Sequence, residues 1–262
     1  VSKSIWAICE HIARGDFEPM AFEVHFDKNG DLPPVDVTLP GGFDVTISGR
    51  IDRIDTFSHN GNLYLKIIDY KSGKKGYSLA DIFNGTTLQL AVYMLAASEG
   101  ISKKTGEHAG FGGMFYFRID DPVLDGSPDT EVDSADALKP FKMSGLASDN
   151  TDVIRAMDRD VKGWSAVIPV YLKADGTVSK SQSNTAGVNE IEKLKRYIKN
   201  TLSKIGQEII SGKVDICPTK NGKMLPCSYC RYGAVCGFDP DIHPCRKAAV
   251  FESDEEIWAQ MP

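Results

Sequence analysis

The chain has 262 residues, of which 42% are hydrophobic and 25% are charged. A chain of this size and composition can bury a sizeable core, which excludes a disordered protein. No apolar run approaches the roughly twenty residues needed to cross a bilayer, and the first residues do not resemble a signal peptide. We therefore expect a cytoplasmic protein with no membrane partner.

The net charge of −6 argues at first against a nucleic-acid partner. The acidity is concentrated in residues 120 to 160, which hold eleven acidic and four basic side chains. The rest of the chain has 26 basic and 25 acidic side chains. Residues 162 to 213 hold nine basic and four acidic side chains. This basic stretch is either a solvated face or a surface that follows a phosphate backbone.

The first predicted element is a helix over residues 3 to 14. Its Ile5, Ile8 and Ile12 recur at helical spacing and fall on one face. His11 belongs to the same helix, and we expect it on the helix surface rather than at a metal.

The next segment, residues 21 to 26, alternates between apolar and polar side chains and predicts a strand. Phe22 and Val24 fall on one face of this strand, whereas Glu23 falls on the other. Residues 29 to 42 are rich in proline and glycine and are predicted to form a loop.

Two further strands are predicted at residues 49 to 55 and 63 to 73, with the turn sequence His-Asn-Gly-Asn between them. Such a turn allows a hairpin, in which antiparallel pairing would bring Asp52 and Asp69 side by side. Residues two apart in a strand share a face, so Asp69 and Lys71 would point to the same side of the sheet. Two carboxylates and one ammonium group would then converge.

This grouping suits the hydrolysis of phosphodiesters. Mg2+ or Mn2+ prefers oxygen ligands and keeps several waters, so Asp52 and Asp69 suffice to hold it. The ion would activate a water, and Lys71 would position that water or stabilise charge on the phosphate. A solvated ion pair is the alternative for an Asp and a Lys two residues apart. We expect Asp55 to support the fold through a polar pair.

Residues 78 to 98 carry helix-forming side chains, and Gln89 and Tyr93 lie four apart on one face of that helix. The pair could hold a DNA phosphate or orient the lysine, and the alternative is that the tyrosine belongs to the core. Residues 109 to 119 predict another buried strand. The order strand, strand, strand, helix, strand indicates an α/β fold with a mixed sheet.

Residues 120 to 187 are predicted to be an acidic, partly mobile insertion. A short helix near residues 151 to 162 and a strand pair near residues 166 to 180 are expected within it. The following helix, at residues 188 to 213, has an apolar stripe at three- and four-residue steps. The stripe consists of Ile191, Leu194, Ile198, Leu202, Ile205 and Ile209.

A cysteine module is predicted at the C-terminal end. Cys227, Cys230 and Cys236 have the spacing of ligands, which favours a metal or cluster over a disulfide framework. Iron–sulfur clusters and structural zinc usually take four ligands. Cys217 or Cys245 could complete the set, or the two could form a disulfide.

The chain resembles the RecB-type branch of the PD-(D/E)XK nucleases in three stretches, Gly49–Asp55, Ile68–Gly73 and Gln89–Tyr93. The three closely spaced cysteines and the Phe-Asp pair after them resemble AddB-type nuclease domains, which belong to the B subunits of bacterial ATP-dependent helicase-nucleases. We therefore expect a restriction-endonuclease-like α/β fold, with a mixed sheet flanked by helices. The expected organisation is a nuclease core at 1–119, the insertion at 120–187, the amphipathic helix at 188–213, and the cysteine module and tail at 214–262.

The resemblance implies a metal-dependent DNA exonuclease domain of a helicase-nuclease complex in double-strand-break repair and recombination. A partner subunit of that complex would deliver single strands from the unwound duplex. The implied roles are metal binding for Asp52 and Asp69, assistance to water attack for Lys71, support of the site or DNA for Gln89 and Tyr93, and an active-site neighbour for Glu23.

In AddB-type domains a 4Fe-4S cluster is held by three such cysteines and a fourth far upstream. We expect this sequence to be a fragment without that fourth ligand, and Cys9 is not expected to replace it. Two other interpretations remain open within the fold, a stand-alone RecB-like exonuclease and an inactive DNA-binding scaffold. A zinc-ribbon interaction module is a third. No ATP-binding loop of the type Gly-x4-Gly-Lys-Ser/Thr is present.

Overall fold

The computed structural model of the protein describes residues 2–73, 76–122, 137–222 and 224–262. Its centre is a six-stranded sheet. In spatial order the strands are β1 (Glu18–Phe26), β4 (Gly49–His59), β5 (Asn62–Lys71), β6 (Ala109–Arg118), β7 (Ser144–Ser148) and β10 (Thr185–Ala186). Three two-stranded ribbons accompany it: β2 (Val35–Thr38) with β3 (Asp44–Ile47), β8 (Gly163–Trp164) with β9 (Tyr171–Leu172), and β11 (Thr219–Lys220) with β12 (Arg246–Lys247).

The sheet is mixed, as the sequence predicts. The pairs β1–β4, β4–β5 and β6–β7 are antiparallel, whereas β5–β6 and β7–β10 are parallel. A parallel pair requires a crossover connection, and the β5–β6 crossover contains α2 (Leu79–Phe83) and α3 (Gln89–Thr105). The predicted helix at residues 78 to 98 is therefore two helices, the first capped by the Ser78 side chain.

Helices cover both faces of the sheet and create two hydrophobic clusters. On the first face, α3, α5 (Val188–Ile210) and α7 (Asp254–Gln260) pack over β4, β5 and β6. On the second face, α1 (Ser2–Ala13) and α4 (Thr151–Met157) pack over the other side of the same strands. A short α6 (Gly233–Cys236) lies in the C-terminal segment. None of the helices in the described part of the chain could span a membrane.

The hairpin between β4 and β5 turns at Asn60 and Gly61, both with positive φ (49° and 73°). This conformation is the one that a two-residue Asn-Gly turn favours, so the predicted turn is confirmed. The register places Arg53 opposite Ile68, and one step further Asp52 lies level with Asp69. The turn thus determines which residues meet at the far end of the hairpin.

Several boundaries differ from the sequence predictions. The predicted loop at residues 29 to 42 contains β2, because alternate valines of that strand are buried. The insertion helix ends at Met157, and the ribbon of β8 and β9 replaces the strand pair expected at residues 166 to 180. Of the predicted insertion, the described residues 137–187 supply β7, α4 and β10, while the acidic residues 123–136 lie outside the described ranges.

Only part of the predicted isoleucine face of α1 packs on the sheet, where Ile8 is partly buried against the second cluster. Ser4, Ala7 and His11 are buried, whereas Ile5 is exposed. The helix lies close to the sheet on its small side chains, and the His11 ring packs edge-on against Phe117 at 5.6 Å. The expectation that His11 lies on the helix surface is therefore wrong.

A buried ion network lies beneath α1. Arg53 donates two hydrogen bonds to the Asp55 carboxylate, of 2.5 and 2.8 Å, and Lys66 Nζ lies 2.8 Å from Asp55 Oδ2. All three residues are buried, and burial lowers the pKa of Lys66. Asp55 therefore has the structural role that its sequence suggested, because it is the anion that compensates two buried cations.

We predict that Asp55→Asn lowers the free energy of unfolding by about 3–5 kcal/mol, since it leaves two buried cations without their anion. Urea unfolding at pH 7 measures this change. Asp36→Asn, at an exposed position of β2, is the matched control and should stay within about 0.5 kcal/mol of the wild type. Equal stabilities of the two variants would contradict the prediction.

His11 predicts a pH dependence of stability. Burial, and then the positive charges of Lys66, Arg53 and Arg14, lower the pKa of His11 from 6.5 to about 3. Above pH 6.5 the ring is neutral whether the chain is folded or not. Below pH 6.5 only the unfolded chain takes up the proton, so stability is lost as the pH falls towards 3.

Between pH 7 and pH 5.5 this loss should amount to about 1 kcal/mol. His11→Leu should remove that part of the slope, since it has no group to protonate. Urea unfolding of both proteins at the two pH values tests this. The same slope in the variant would show that other groups cause it.

Candidate active site

Asp52 and Asp69 lie on neighbouring strands at the edge where β4 begins and β5 ends. The ladder of backbone pairs between these strands stops at Arg53. One residue further, Asp52 Oδ2 accepts a 2.9 Å hydrogen bond from the Tyr70 backbone N–H. This bond fixes one carboxylate beside the other. The predicted pairing of Asp52 with Asp69 is thus observed in the register.

Asp69 is 1% exposed. Burial raises the pKa of its carboxyl group, the ammonium of Lys71 lowers it, and the negative charge of Asp52 raises it further, so that the net shift is upward. Lys71 Nζ lies 2.6 Å from Asp69 Oδ2. Asp69 and Lys71 share one face of β5, and Tyr70 points to the other, as strand geometry requires.

Lys71 is held by the first residue of α3. Its Nζ donates a 2.7 Å hydrogen bond to Gln89 Oε1, and Gln89 Nε2 in turn donates a 2.9 Å bond to the Tyr93 hydroxyl. The Tyr93 ring packs edge-on against Phe26 in the first cluster. A chain of contacts therefore connects the core, through a phenol and an amide, to the lysine.

Tyr116 also contacts the lysine, and the sequence analysis did not identify it. Parallel pairing of β5 with β6 sets Tyr116 opposite Asp69, and Lys71 Nζ lies 5.4 Å from the centre of its ring. Such a cation–π contact stabilises an ammonium group. Burial, and then the charge of Asp69, raise the pKa of Tyr116 to about 12, so the phenol stays protonated at neutral pH. Only the β5–β6 register could have revealed it.

Glu23 lies opposite Asp52, between the paired residues of β1 and β4, but forms a different contact. Its φ of 52° breaks the alternation of β1, and its carboxylate pairs with Arg50 at 2.7 Å. Both partners of this ion pair are exposed. Glu23 therefore lies at the same sheet edge as the carboxylate pair, but its carboxylate pairs with Arg50 instead of facing Asp52 and Asp69.

Five of the six cysteines lie in the C-terminal segment, which contacts the end of α2, and Cys9 lies in α1. Asn84, which ends α2, donates to the Ala249 carbonyl and accepts from the Ala249 N–H, and Arg246 donates to the Asn84 carbonyl. All six cysteines are unpaired, so Cys217 and Cys245 do not form a disulfide. Across the described ranges no three His, Cys, Asp or Glu side chains are gathered as metal ligands. Cys227, Cys230 and Cys236 therefore do not form a ligand set here.

The carboxylate pair fits a hard divalent cation better. Asp69 Oδ2 is buried and lies 2.6 Å from the Lys71 ammonium. Two carboxylates are the protein ligands that Mg2+ typically takes while it keeps several waters. Asp52 and Asp69 could hold such an ion, which would supply an activated water when bound.

The comparison with known proteins agrees with this site. A model of the PD-(D/E)XK nuclease superfamily matches residues 1–237. The chain therefore belongs to the PD-(D/E)XK nuclease superfamily.

Curated relatives narrow the comparison. A protein of Clostridium botulinum (strain Hall), named as the B subunit of an ATP-dependent helicase/deoxyribonuclease, is 38% identical over 261 residues, which are 98% of this chain and 23% of the relative. Proteins of the same name in Acetivibrio thermocellus and Thermoanaerobacter sp. (strain X514) are each 36% identical, over 100% and 98% of the chain. The chain thus spans about a quarter of the length of these relatives.

We predict that Mn2+ binds at the carboxylate pair and that Asp69→Asn weakens this binding at least about 10-fold, because a carboxylate ligand is removed. The electron paramagnetic resonance signal of free Mn2+ reports the affinity. Binding should weaken as the pH falls towards the raised pKa of Asp69, since proton and metal compete. Asp36→Asn should bind Mn2+ like the wild type. Unchanged binding by Asp69→Asn would remove the proposed ligand.

Proposed function

We propose that this chain is a Mg2+- or Mn2+-dependent DNA exonuclease domain that hydrolyses phosphodiesters. The observation that carries the proposal is the convergence of Asp52, Asp69 and Lys71 at one sheet edge, with the lysine oriented by Gln89. Membership of the PD-(D/E)XK nuclease superfamily and the deoxyribonuclease names of the relatives support it.

The side chains of the site have different roles in the proposed hydrolysis. Asp52 and Asp69 hold the cation, which supplies an activated water and neutralises charge on the phosphate when it is bound. Lys71 directs its ammonium group to the attacking water or to the charge that develops on the phosphate. Gln89 and Tyr116 restrict the lysine to one position, so that its orientation costs little when substrate binds.

The larger assembly is also part of the proposal. Since the relatives are named as subunits of a helicase/deoxyribonuclease, we infer that the whole protein pairs with a helicase subunit in the cytoplasm and receives single strands from unwound DNA. Repair and recombination of double-strand breaks are the processes that need such an activity. A stand-alone exonuclease is the alternative.

A 4Fe-4S cluster at Cys227, Cys230 and Cys236 stays a prediction from the family resemblance. Such a cluster usually takes four ligands. Among the described residues, no fourth cysteine lies together with these three in a ligand arrangement. No step of the proposed mechanism depends on it, because the carboxylates and the lysine come from the sheet and α3.

We predict that the protein degrades linear single-stranded DNA in Mn2+, and that Asp69→Ala or Lys71→Ala lowers the rate by about 100-fold or more, since each removes a charge that acts in the transition state. Release of a fluorescent nucleotide from an end-labelled strand measures this rate. A circular single strand should be spared, because an exonuclease needs an end.

Lys103→Ala is the matched control for the removal of a lysine. Lys103 is exposed near the end of α3, on the same helix as Gln89 but remote in sequence from it, and its variant should keep the wild-type rate. Cleavage that survives Asp69→Ala and Lys71→Ala would refute the assigned site. Full-length protein without cleavage of linear or circular DNA would refute the nuclease function.

A further inference from the structure

A cavity of about 480 Å3 lies beside the ribbon of β8 and β9. The end of α4 and the loops at Gly163 and Gly176 shape it, both of these glycines having positive φ. Its polar lining comes from Arg155, Lys162, Tyr171 and Lys173. This volume lies within the range of small-ligand sites, although the cavity is outside the carboxylate site.

The charged side chains that line this cavity are all positive. None of the described residues that line it is acidic. Arg155, Lys162 and Lys173 form no ion pair within the described ranges, and all three are exposed. Asp175, in the loop after β9, accepts two hydrogen bonds from Thr177, and the charge of Lys173 acts on its carboxylate without a close ion pair. The cavity therefore offers three cations to an anionic ligand.

An exposed aromatic side chain stands next to these cations. Trp164, in β8, is 54% exposed, and its ring contacts Tyr171 edge-on at 5.5 Å. Lys142 Nζ lies 5.0 Å from the centre of the indole ring. These two contacts hold the indole in place while about half of it faces solvent. A rigid exposed ring beside cations is the arrangement on which a nucleic-acid base stacks.

The basic side chains of α5 do not offer the same surface. Lys193 and Arg196 donate hydrogen bonds to the carbonyls of Trp258 and Pro262, and Lys199 pairs with Glu99. They are committed to packing within the domain. Of the predicted basic stretch of residues 162 to 213, Lys162 and Lys173 lie near Trp164 and form no ion pair within the described ranges.

Lys142 and β7 connect the Trp164 ring to the sheet edge of the candidate active site. β7 begins with Ser144 opposite Tyr116, the residue that contacts Lys71, and Lys142 precedes β7 by two residues. Two strand spacings, about 10 Å, separate Ser144 from Asp69 across the sheet. A strand of a few nucleotides could thus extend from one site to the other around the edge.

We propose that this surface, called here the Trp164 surface and made of Lys142, Arg155, Lys162, Trp164, Tyr171 and Lys173, binds single-stranded nucleic acid. A base stacks on the indole, and the cations contact the neighbouring phosphates. The proposal rests on the DNA substrate of the proposed function. It adds a second contact that retains the strand while its end lies at the carboxylate pair.

Fluorescence anisotropy with a labelled oligothymidine tests the surface in EDTA, where no divalent ion supports cleavage. Trp164→Ala should weaken binding about 5- to 150-fold, the effect of removing the stacking of one base. Trp164→Phe should keep most of the affinity, because a phenyl ring can still stack. Phe43→Ala removes an aromatic ring that is 64% exposed in the loop before β3, and it should bind like the wild type.

Two further measurements separate stacking from charge. The combined change Arg155→Ala, Lys162→Ala and Lys173→Ala should reduce the slope of log affinity against log salt by about two, at about 0.7 for each phosphate that is no longer neutralised. Oligothymidine should quench tryptophan fluorescence in the wild type and not in Trp164→Phe. That variant separates the signal of this ring from those of the other two tryptophans.

The proposal is overturned if Trp164→Ala binds the oligonucleotide as well as the wild type or if the wild type does not bind it. Binding of an acidic peptide in its place, with no effect of DNA, would identify a protein-binding surface instead. Cleavage in Mn2+, measured in parallel, keeps the two proposals apart. Trp164-dependent binding without cleavage would refute only the nuclease, and cleavage with unchanged binding by Trp164→Ala would refute only the surface.

Discussion

The register between β4 and β5 is the constraint on which the site depends. A two-residue turn at Asn60 and Gly61 determines it, and the same register brings Asp52 level with Asp69 at the far end of the hairpin. A slip of one residue would turn every side chain of one strand to the opposite face. It would separate the two carboxylates, and it would part Asp55 from Lys66, which lies opposite it on β5.

The two faces of this hairpin have opposite electrostatic designs. On the face of α3, Lys71 is partly exposed at the edge and pairs with the buried Asp69. On the face of α1, Asp55 and its two cations are closed off from solvent. The buried ion network stabilises one register of the two strands, and that register brings Asp52, Asp69 and Lys71 together. Stability and chemistry therefore share strands without sharing side chains.

What could be predicted from the sequence follows from the range of each interaction. Alternation along a strand and a short turn were enough to place Asp69 and Lys71 together and to pair them with Asp52. The contact with Tyr116 could not be derived in this way, since it depends on a parallel pairing across a crossover of two helices. The burial of His11 depends on how closely α1 approaches the sheet, which local periodicity does not determine.

Asn84 connects the two ends of the fold in a way that bears on regulation. Its side chain bonds both polar atoms of the Ala249 backbone, and five residues later Gln89 begins α3 and orients Lys71. Through Asn84, the C-terminal segment is therefore connected to the start of the helix that positions the lysine. A change that loosens the C-terminal segment would therefore act on the candidate active site through the start of α3.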